Sequence, residues 1–147
     1  MEKKTVNATY RLENMMEEKF FFNYNYDFSN INFENVVFSF NHTISPDYQS
    51  NKIAIVVNVD YVLGESILAS ETIRSIFIVN PVTEIVQPID GNDNRLSIKA
   101  PELIATFINV AIGALRGLFV KNLKGTSLEN CVLTLVPMDL ILEQLRK

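Results

Sequence analysis

Aromatic and polar side chains alternate between positions 19 and 28 of the chain. Aromatic residues take every second position, and lysine, asparagine or aspartate takes most of the positions between them. Because successive side chains of a β-strand point to opposite faces, this period of two predicts a strand with one aromatic face. The aromatic residues are Phe20, Phe22, Tyr24, Tyr26 and Phe28. We expect most of them to belong to the core, with the tyrosines partly exposed because each hydroxyl requires water or a partner.

Three further strands are predicted from the apolar runs that follow. Residues 36–44 alternate between apolar and polar positions, residues 53–63 form a second run, and residues 72–79 are rich in isoleucine, valine and phenylalanine. Gly64 is suited to the turn between the last two strands, because glycine readily adopts positive φ. Pro81 ends the last run, since proline cannot donate a ladder hydrogen bond.

A long helix is predicted from Pro101 to about Leu123. Proline and Glu102 both favour the first turn of a helix, and Gly125 is suited to a left-handed cap after the last turn. Almost the whole circumference is apolar, so the helix is expected to contact more than its own sheet. The predicted subunit-interface residues are Phe107, Val110, Ala114, Gly117 and Leu118.

The C-terminal segment contains a second, shorter helix. Residues 132–136 are apolar, and Pro137 then leads into a helical pattern that includes Leu142 and Leu145. We expect this last piece to act as a lid or strap.

Composition limits the possible partners and locations. The 147 residues suit a single domain, with residues 1–16 as a flexible N-terminal segment. The net charge of −4 and the scattered basic residues argue against nucleic-acid binding. Cys131 is the only cysteine, and residues 1–14 lack the apolar stretch of a secretory signal, so a cytoplasmic location is expected. Asn109 and Arg116 interrupt the apolar helix, which argues against membrane insertion.

No residue pattern indicates catalysis, a metal site or a cofactor. His42 is the only histidine and has no nearby nucleophile pattern, and Cys131 is expected to be a buried, inert thiol. Residues 88–94 include Asp90-Gly91-Asn92-Asp93-Asn94, the strongest loop signal in the chain. This stretch lacks the alternating ligands and the distant glutamate of a calcium loop, so a solvated turn is expected.

Three segments resemble the SecB-type export chaperone family. Ser75-Ile76-Phe77-Ile78-Val79 resembles that family's Gly-Ile-Phe-x-Ile strand, and residues 103–123 correspond to its long helix. Gly125-Thr126, followed by Leu133-x-Leu135-Val136-Pro137-Met138-Asp139, resembles its Gly-x-Phe-Pro-x-Leu-x-Leu-x-Pro-Val-Asn-Phe-Asp.

Two motifs of that family are replaced in this chain. Its Pro-Tyr-Ala-Arg-Glu at the start of the long helix corresponds to Thr106-Phe107-Ile108-Asn109-Val110, and its Phe-Pro to Ser127-Leu128.

The resemblance implies an α+β fold in which an antiparallel four-stranded sheet packs on one long helix, with a short C-terminal helix. It implies a homo-oligomer, a dimer or tetramer, that binds non-native polypeptides in apolar grooves without ATP or catalysis. The translocation motor of protein export is a further partner that it suggests. The candidate client-binding residues are Tyr24, Tyr26, Phe40, Met138, Leu142 and Leu145.

Two other functions remain open at this point. A curved sheet and a helix could enclose a pocket for a small molecule or lipid, in which case a monomer with a closed cavity is expected. Alternatively, the same SecB-like fold could serve as an adaptor for one dedicated partner, such as an antitoxin.

Overall fold

Four long strands form one antiparallel sheet. The computed structural model describes residues 8–89 and 92–145. The strands are β1 (Thr9–Phe22), β2 (Val37–Asp47), β3 (Lys52–Leu63) and β4 (Ser66–Asn80). Their order across the sheet is β1-β4-β3-β2, so β1 and β2 are its two edges.

Two α-helices and a small hairpin are the other main elements of the described residues, beside two single-turn 3₁₀ helices at Phe33–Asn35 and Val82–Glu84. The hairpin strands and the α-helices are β5 (Val86–Ile89), β6 (Asn92–Ile98), α1 (Pro101–Asn122) and α2 (Met138–Leu145). Helix α1 packs on the centre of the large sheet, against β3 and β4, and α2 packs on α1. The predicted α+β class, with a four-stranded antiparallel sheet, one long helix and a short C-terminal helix, is confirmed.

The core lies between α1 and one face of the sheet, which we call the inner face. In β3, buried and half-buried side chains alternate because every second side chain points towards α1. The buried β3 residues are Ile53, Ile55, Val57, Val59 and Tyr61. The buried α1 residues are Ile104, Ala105, Phe107, Ile108, Ala111, Ile112, Leu115 and Phe119.

The predicted ends of α1 and the predicted turn are also observed. Pro101 occupies the first turn, where its missing N–H has no helical partner to lose. At the other end, the Leu123 N–H donates to the Phe119 carbonyl at 2.9 Å. Gly125 (φ 82°) and Gly64 (φ 61°) both adopt the left-handed conformation that glycine allows.

The first strand is shifted towards the N-terminus relative to its prediction. It ends at Phe22, so Tyr24, Tyr26 and Phe28 lie in the turns beyond it. Polar side chains stabilise these turns: the Asn23 side chain accepts from the Asn25 backbone N–H at 3.1 Å. Such local bonds compete with strand pairing, which the alternation alone did not reveal.

Two segments form strands that the sequence reading missed. Residues 9–16, predicted to be flexible, pair with β4, while residues 1–7 lie outside the described residues. The charged residues of this segment break the apolar pattern that predicts a strand. An edge strand nevertheless accepts such residues. The predicted loop at residues 88–94 is part of the β5–β6 hairpin, apart from Asp90 and Gly91, which lie outside the described residues.

Candidate functional site

An apolar groove lies between the β2 side of the sheet and the segment that follows α1. Its volume is about 290 Å³. The sheet contributes Phe38, Phe40 and Val59, whose side chains lie on the inner face. Residues 133–137 and Leu140 of α2 line the other side.

Residues 131–137, which we call the C-terminal strap, cross this part of the sheet without regular secondary structure. The Arg116 side chain of α1 holds the strap in place. Its Nε donates to the Leu133 carbonyl at 2.9 Å, and its Nη2 donates to the Thr134 carbonyl at 3.1 Å. Leu133 is the strap residue that is buried in the core. Leu133 and Thr134 belong to no helix or strand that would pair their backbone carbonyls. The Arg116 side chain therefore provides the hydrogen bonds for these two carbonyls.

Large apolar side chains are exposed along the strap and the start of α2. The Leu135 side chain is 82% exposed, and Val132 is 53% exposed. Met138 and Leu140 are also exposed, although less so. Leu135 and Leu140 line the groove as well, so the groove is continuous with exposed apolar surface.

Two of the candidate client-binding residues, Phe40 and Met138, lie on or next to this surface. Phe40 lines the groove, and Met138 is exposed at the start of α2. Leu142 and Leu145 are half-buried against the core.

The remaining candidates, Tyr24 and Tyr26, belong to a separate aromatic cluster. Tyr24 is 81% exposed and contacts Phe22 edge to face at 4.8 Å between ring centroids. Phe22 also stacks on Phe28 at 5.5 Å, and Phe28 contacts Tyr26 at 5.1 Å. Neither tyrosine lines the groove. The stripe predicted from the sequence is therefore divided between the core and a folded-back turn.

The sequence reading missed most of the groove. Phe38, Val59, Leu133, Leu135 and Leu140 line it, yet none of them was a candidate site residue. The one available signal was the apolar run at residues 132–136, which has neither helical caps nor a strand partner nearby.

Helix α1 has an exposed face that bears small residues in its middle. We call this face the exposed α1 stripe; it comprises Glu102, Thr106, Asn109, Val110, Gly113, Gly117, Val120 and Lys121. Of the predicted interface residues, Val110 and Gly117 lie on it, and Ala114 and Leu118 are half-buried beside it. Phe107 does not lie on it, because its ring is buried and stacks on Phe77 at 4.0 Å.

Buried titratable groups lie elsewhere in the fold. Desolvation, followed by a hydrogen bond with Glu17 of β1 and repulsion from its charge, raises the pKa of the Glu71 carboxyl in β4 to about 9. The same bond lowers the pKa of Glu17. The Asn122 side chain of α1 donates to both, at 2.7 Å to Glu17 and 3.2 Å to Glu71. This carboxyl pair connects three elements and does not line the groove.

The environments of His42 and Cys131 do not favour reactive side chains. Burial lowers the pKa of His42, which bonds Gln144 of α2, and burial raises the pKa of the Cys131 thiol. Within residues 8–89 and 92–145, no three histidine, cysteine or acidic side chains gather as metal ligands.

Helix α1 is long and apolar enough to cross a bilayer by length and composition, and 44% of its apolar stretch is buried inside the protomer. A core helix meets the same criteria.

Neither a scan against protein-family models nor a search of curated proteins returned a match for this sequence.

Proposed function

We propose that this protein is an ATP-independent holding chaperone of the SecB type, which binds non-native polypeptides as a homo-oligomer. The observation that carries this proposal is the apolar groove together with the exposed side chains of Val132, Leu135, Met138 and Leu140 beside it. Soluble monomers rarely expose contiguous apolar surface unless it binds something.

The chemistry of the groove suits a sequence-tolerant ligand. Seven apolar side chains line it, together with Thr134 and Pro137: Phe38, Phe40, Val59, Leu133, Leu135, Val136 and Leu140. Apolar burial has no directional requirement and contributes roughly 25 cal/mol per Å². An extended unfolded segment could therefore be held without recognition of particular side chains.

The size of the groove favours a polypeptide over a small molecule. Small-molecule sites typically measure about 300–1,000 Å³ and enclose most of the ligand. The 290 Å³ groove lies just below this range, and its lining residue Leu135 is mostly exposed. A long ligand that covers both the groove and the exposed strap residues fits this surface better.

The exposed α1 stripe supports the proposed oligomer. Its acidic end carries Glu102 and its basic end carries Lys121, with glycines between them. If two copies packed their α1 helices antiparallel, each Glu102 would approach the other copy's Lys121. The glycines would allow close approach of the two backbones, as small residues do at other helix contacts.

Suppression of client aggregation tests the proposed function. Wild-type protein should suppress the aggregation of reduced lysozyme at stoichiometric ratios without ATP, as measured by light scattering. Leu135→Asp should weaken the suppression about tenfold, because it places a charge on the exposed apolar surface. Since Leu135 is mostly exposed, the fold should be unaffected, which circular dichroism would verify.

Ile67→Asp is the matched control, because Ile67 is an exposed apolar residue of β4 that does not line the groove. It should suppress aggregation as the wild type does. No suppression by the wild type, or equal loss in both variants, would refute the proposed function.

A further inference from the structure

Strand β2 has a free edge that lacks the usual protection against pairing. It pairs with β3 in continuous register from Val37 to Asp47, without a bulge. In the described part of the chain, no strand pairs with its other side. Edge strands are normally blunted by charged side chains, bulges or proline. Here residues 37–45 carry no acidic or basic side chain apart from His42, and Pro46 lies near the end.

The opposite edge of the same sheet is protected. Strand β1 contains two irregularities in its register with β4, between Leu12 and Asn14 and between Glu17 and Lys19. Its charged residues are Arg11, Glu13, Glu17, Glu18 and Lys19. The contrast between the two edges indicates that β2, and not β1, is suited to accept another strand.

The free edge also continues directly into the groove. The inner-face residues Phe38 and Phe40 of β2 line the groove, and β2 is the last strand on that side. A strand added to β2 would place every second side chain beside this apolar surface. Its other side chains would lie beside the outward-facing residues of β2, which between positions 39 and 45 are small and polar: Ser39, Asn41, Thr43 and Ser45.

We propose that β2 binds an extended polypeptide segment by strand addition, with alternate apolar side chains of that segment seated at the groove. Backbone hydrogen bonds would supply affinity, and the groove would select an alternating apolar and polar pattern. This inference goes beyond the proposed function, because it specifies the edge and the bound conformation. It applies equally to a holding chaperone and to an adaptor for one partner.

The size of the edge argues for a peptide over a second copy of the protein. The strand has 11 residues. At about 3.3 Å per residue and a sheet spacing of about 10 Å, its edge presents roughly 360 Å². A stable protein interface needs about 800 Å² per partner. Pairing of two β2 edges alone therefore falls well short of a stable dimer, whereas a single segment can add the groove contacts.

Two peptides test the backbone requirement without any mutation. The probe is a fluorescein-labelled nine-residue peptide of alternating threonine and valine. Its control has the same side chains but N-methyl groups on three consecutive central residues, which removes donors from both of its edges. The control should bind the full-length protein about tenfold more weakly or worse, because several hydrogen bonds are lost. Equal binding of both peptides by fluorescence anisotropy would overturn the proposal.

Amide hydrogen exchange by NMR locates the bound peptide. Added probe should slow the exchange of β2 amides and leave those of β1 unchanged. Protection of β1 instead of β2 would overturn the proposal. The proposal would also be overturned if the β2 amides became protected at high protein concentration without peptide, because a second copy of the protein would then occupy the edge.

A pair of edge variants provides a second test. Ser39→Lys/Thr43→Lys adds charges to the exposed outer side of β2, and should weaken the unmethylated probe about tenfold. Asn14→Lys, on the exposed side of the already charged β1, is the matched control and should bind the probe as the wild type does. Equal affinity of all three proteins would contradict the proposal. If the double variant does not fold, the comparison of the two peptides on the wild type still tests strand addition.

The outcomes separate this inference from the proposed function. If the wild type suppresses lysozyme aggregation but binds both peptides equally, strand addition is wrong and the chaperone proposal stands. If methylation abolishes peptide binding while the wild type suppresses no aggregation, the β2 site stands and the chaperone proposal is wrong.

Discussion

At the scale of single residues, the protonation of Glu71 depends on the fold. Its side chain is fully buried, and its pKa is raised to about 9 by burial and by Glu17 beside it. At neutral pH its carboxyl is therefore protonated in the folded protein and can donate a hydrogen bond to the Glu17 carboxylate. In the unfolded chain the same group ionises near 4.5.

This difference predicts how stability changes with pH. The folded state holds the proton more tightly than the unfolded state, so the contribution of Glu71 is complete below its ordinary pKa of 4.5. It decreases as the pH rises and is lost by about pH 9. Glu71→Gln keeps a neutral donor at this position. The variant should therefore melt at a higher temperature than the wild type at pH 8, and should lose less stability between pH 6 and pH 9.

Thermal denaturation followed by circular dichroism across this pH range measures the effect. Glu18→Gln is the control, because Glu18 is an exposed residue of β1 in a long 3.7 Å ion pair with Arg74. Its melting temperature should change with pH as that of the wild type does. Parallel pH profiles for the wild type and Glu71→Gln would show that the carboxyl is already ionised in the folded protein.

At the scale of elements, the C-terminal strap depends on Arg116. The strap buries Leu133, packs Cys131 and Val136 partly against the core, and receives two bonds from Arg116 at the carbonyls of Leu133 and Thr134. Arg116→Met keeps the apolar part of the side chain but removes both bonds. Unfolding free energy should fall by about 2 kcal/mol, since bonds to charged donors contribute about 1.5–3 kcal/mol each and water recovers part of the loss.

Hydrogen exchange should localise this effect. Arg116→Met should increase exchange in residues 131–145 while β3 and β4 stay protected. Lys124→Met removes an exposed cation just after α1 and is the control. It should change neither the unfolding free energy nor the exchange of residues 131–145. Unchanged protection of the strap in Arg116→Met would mean that the packing of Leu133, Cys131 and Val136 holds it without the two bonds.

At the scale of the whole molecule, Gly113 and Gly117 of α1 are expected to matter for the packing of two copies and not for the folding of one. A Cβ at Gly113 or Gly117 would meet no atom within 4 Å in the protomer. Glycine in a helix interior costs about 1 kcal/mol relative to alanine, so the protomer gains nothing from either residue. We expect Gly113→Leu/Gly117→Leu to keep or raise the melting temperature of the protomer but to prevent close packing between copies.

Size-exclusion chromatography with light scattering checks this prediction. The wild type should elute as a dimer or tetramer and the double variant as a smaller species. Glu143→Leu, an exposed change on α2, should leave the oligomer intact. A wild type that is monomeric at every concentration would refute the role of the exposed α1 stripe.

The sequence predicted the fold better than the groove. Runs such as residues 53–63 and 101–122 have a single clear period, so burial on one face determined both strand and helix. The strand at residues 9–16 carries charges because it is an edge, and Tyr24 left the predicted strand because its asparagine neighbours stabilise a turn. Phe107 was assigned to the outer face of α1, although the apolar pattern around that helix could not identify which side meets the sheet.

By itself, the sequence determined the elements and the class of the fold, because hydrophobic period, proline and glycine act locally along the chain. Only the tertiary structure decided which surfaces stay unpaired. The groove depends on Arg116 reaching the strap from α1, and the free edge of β2 depends on the strand order β1-β4-β3-β2. Both join residues far apart in the chain, so no local pattern of side chains could specify them.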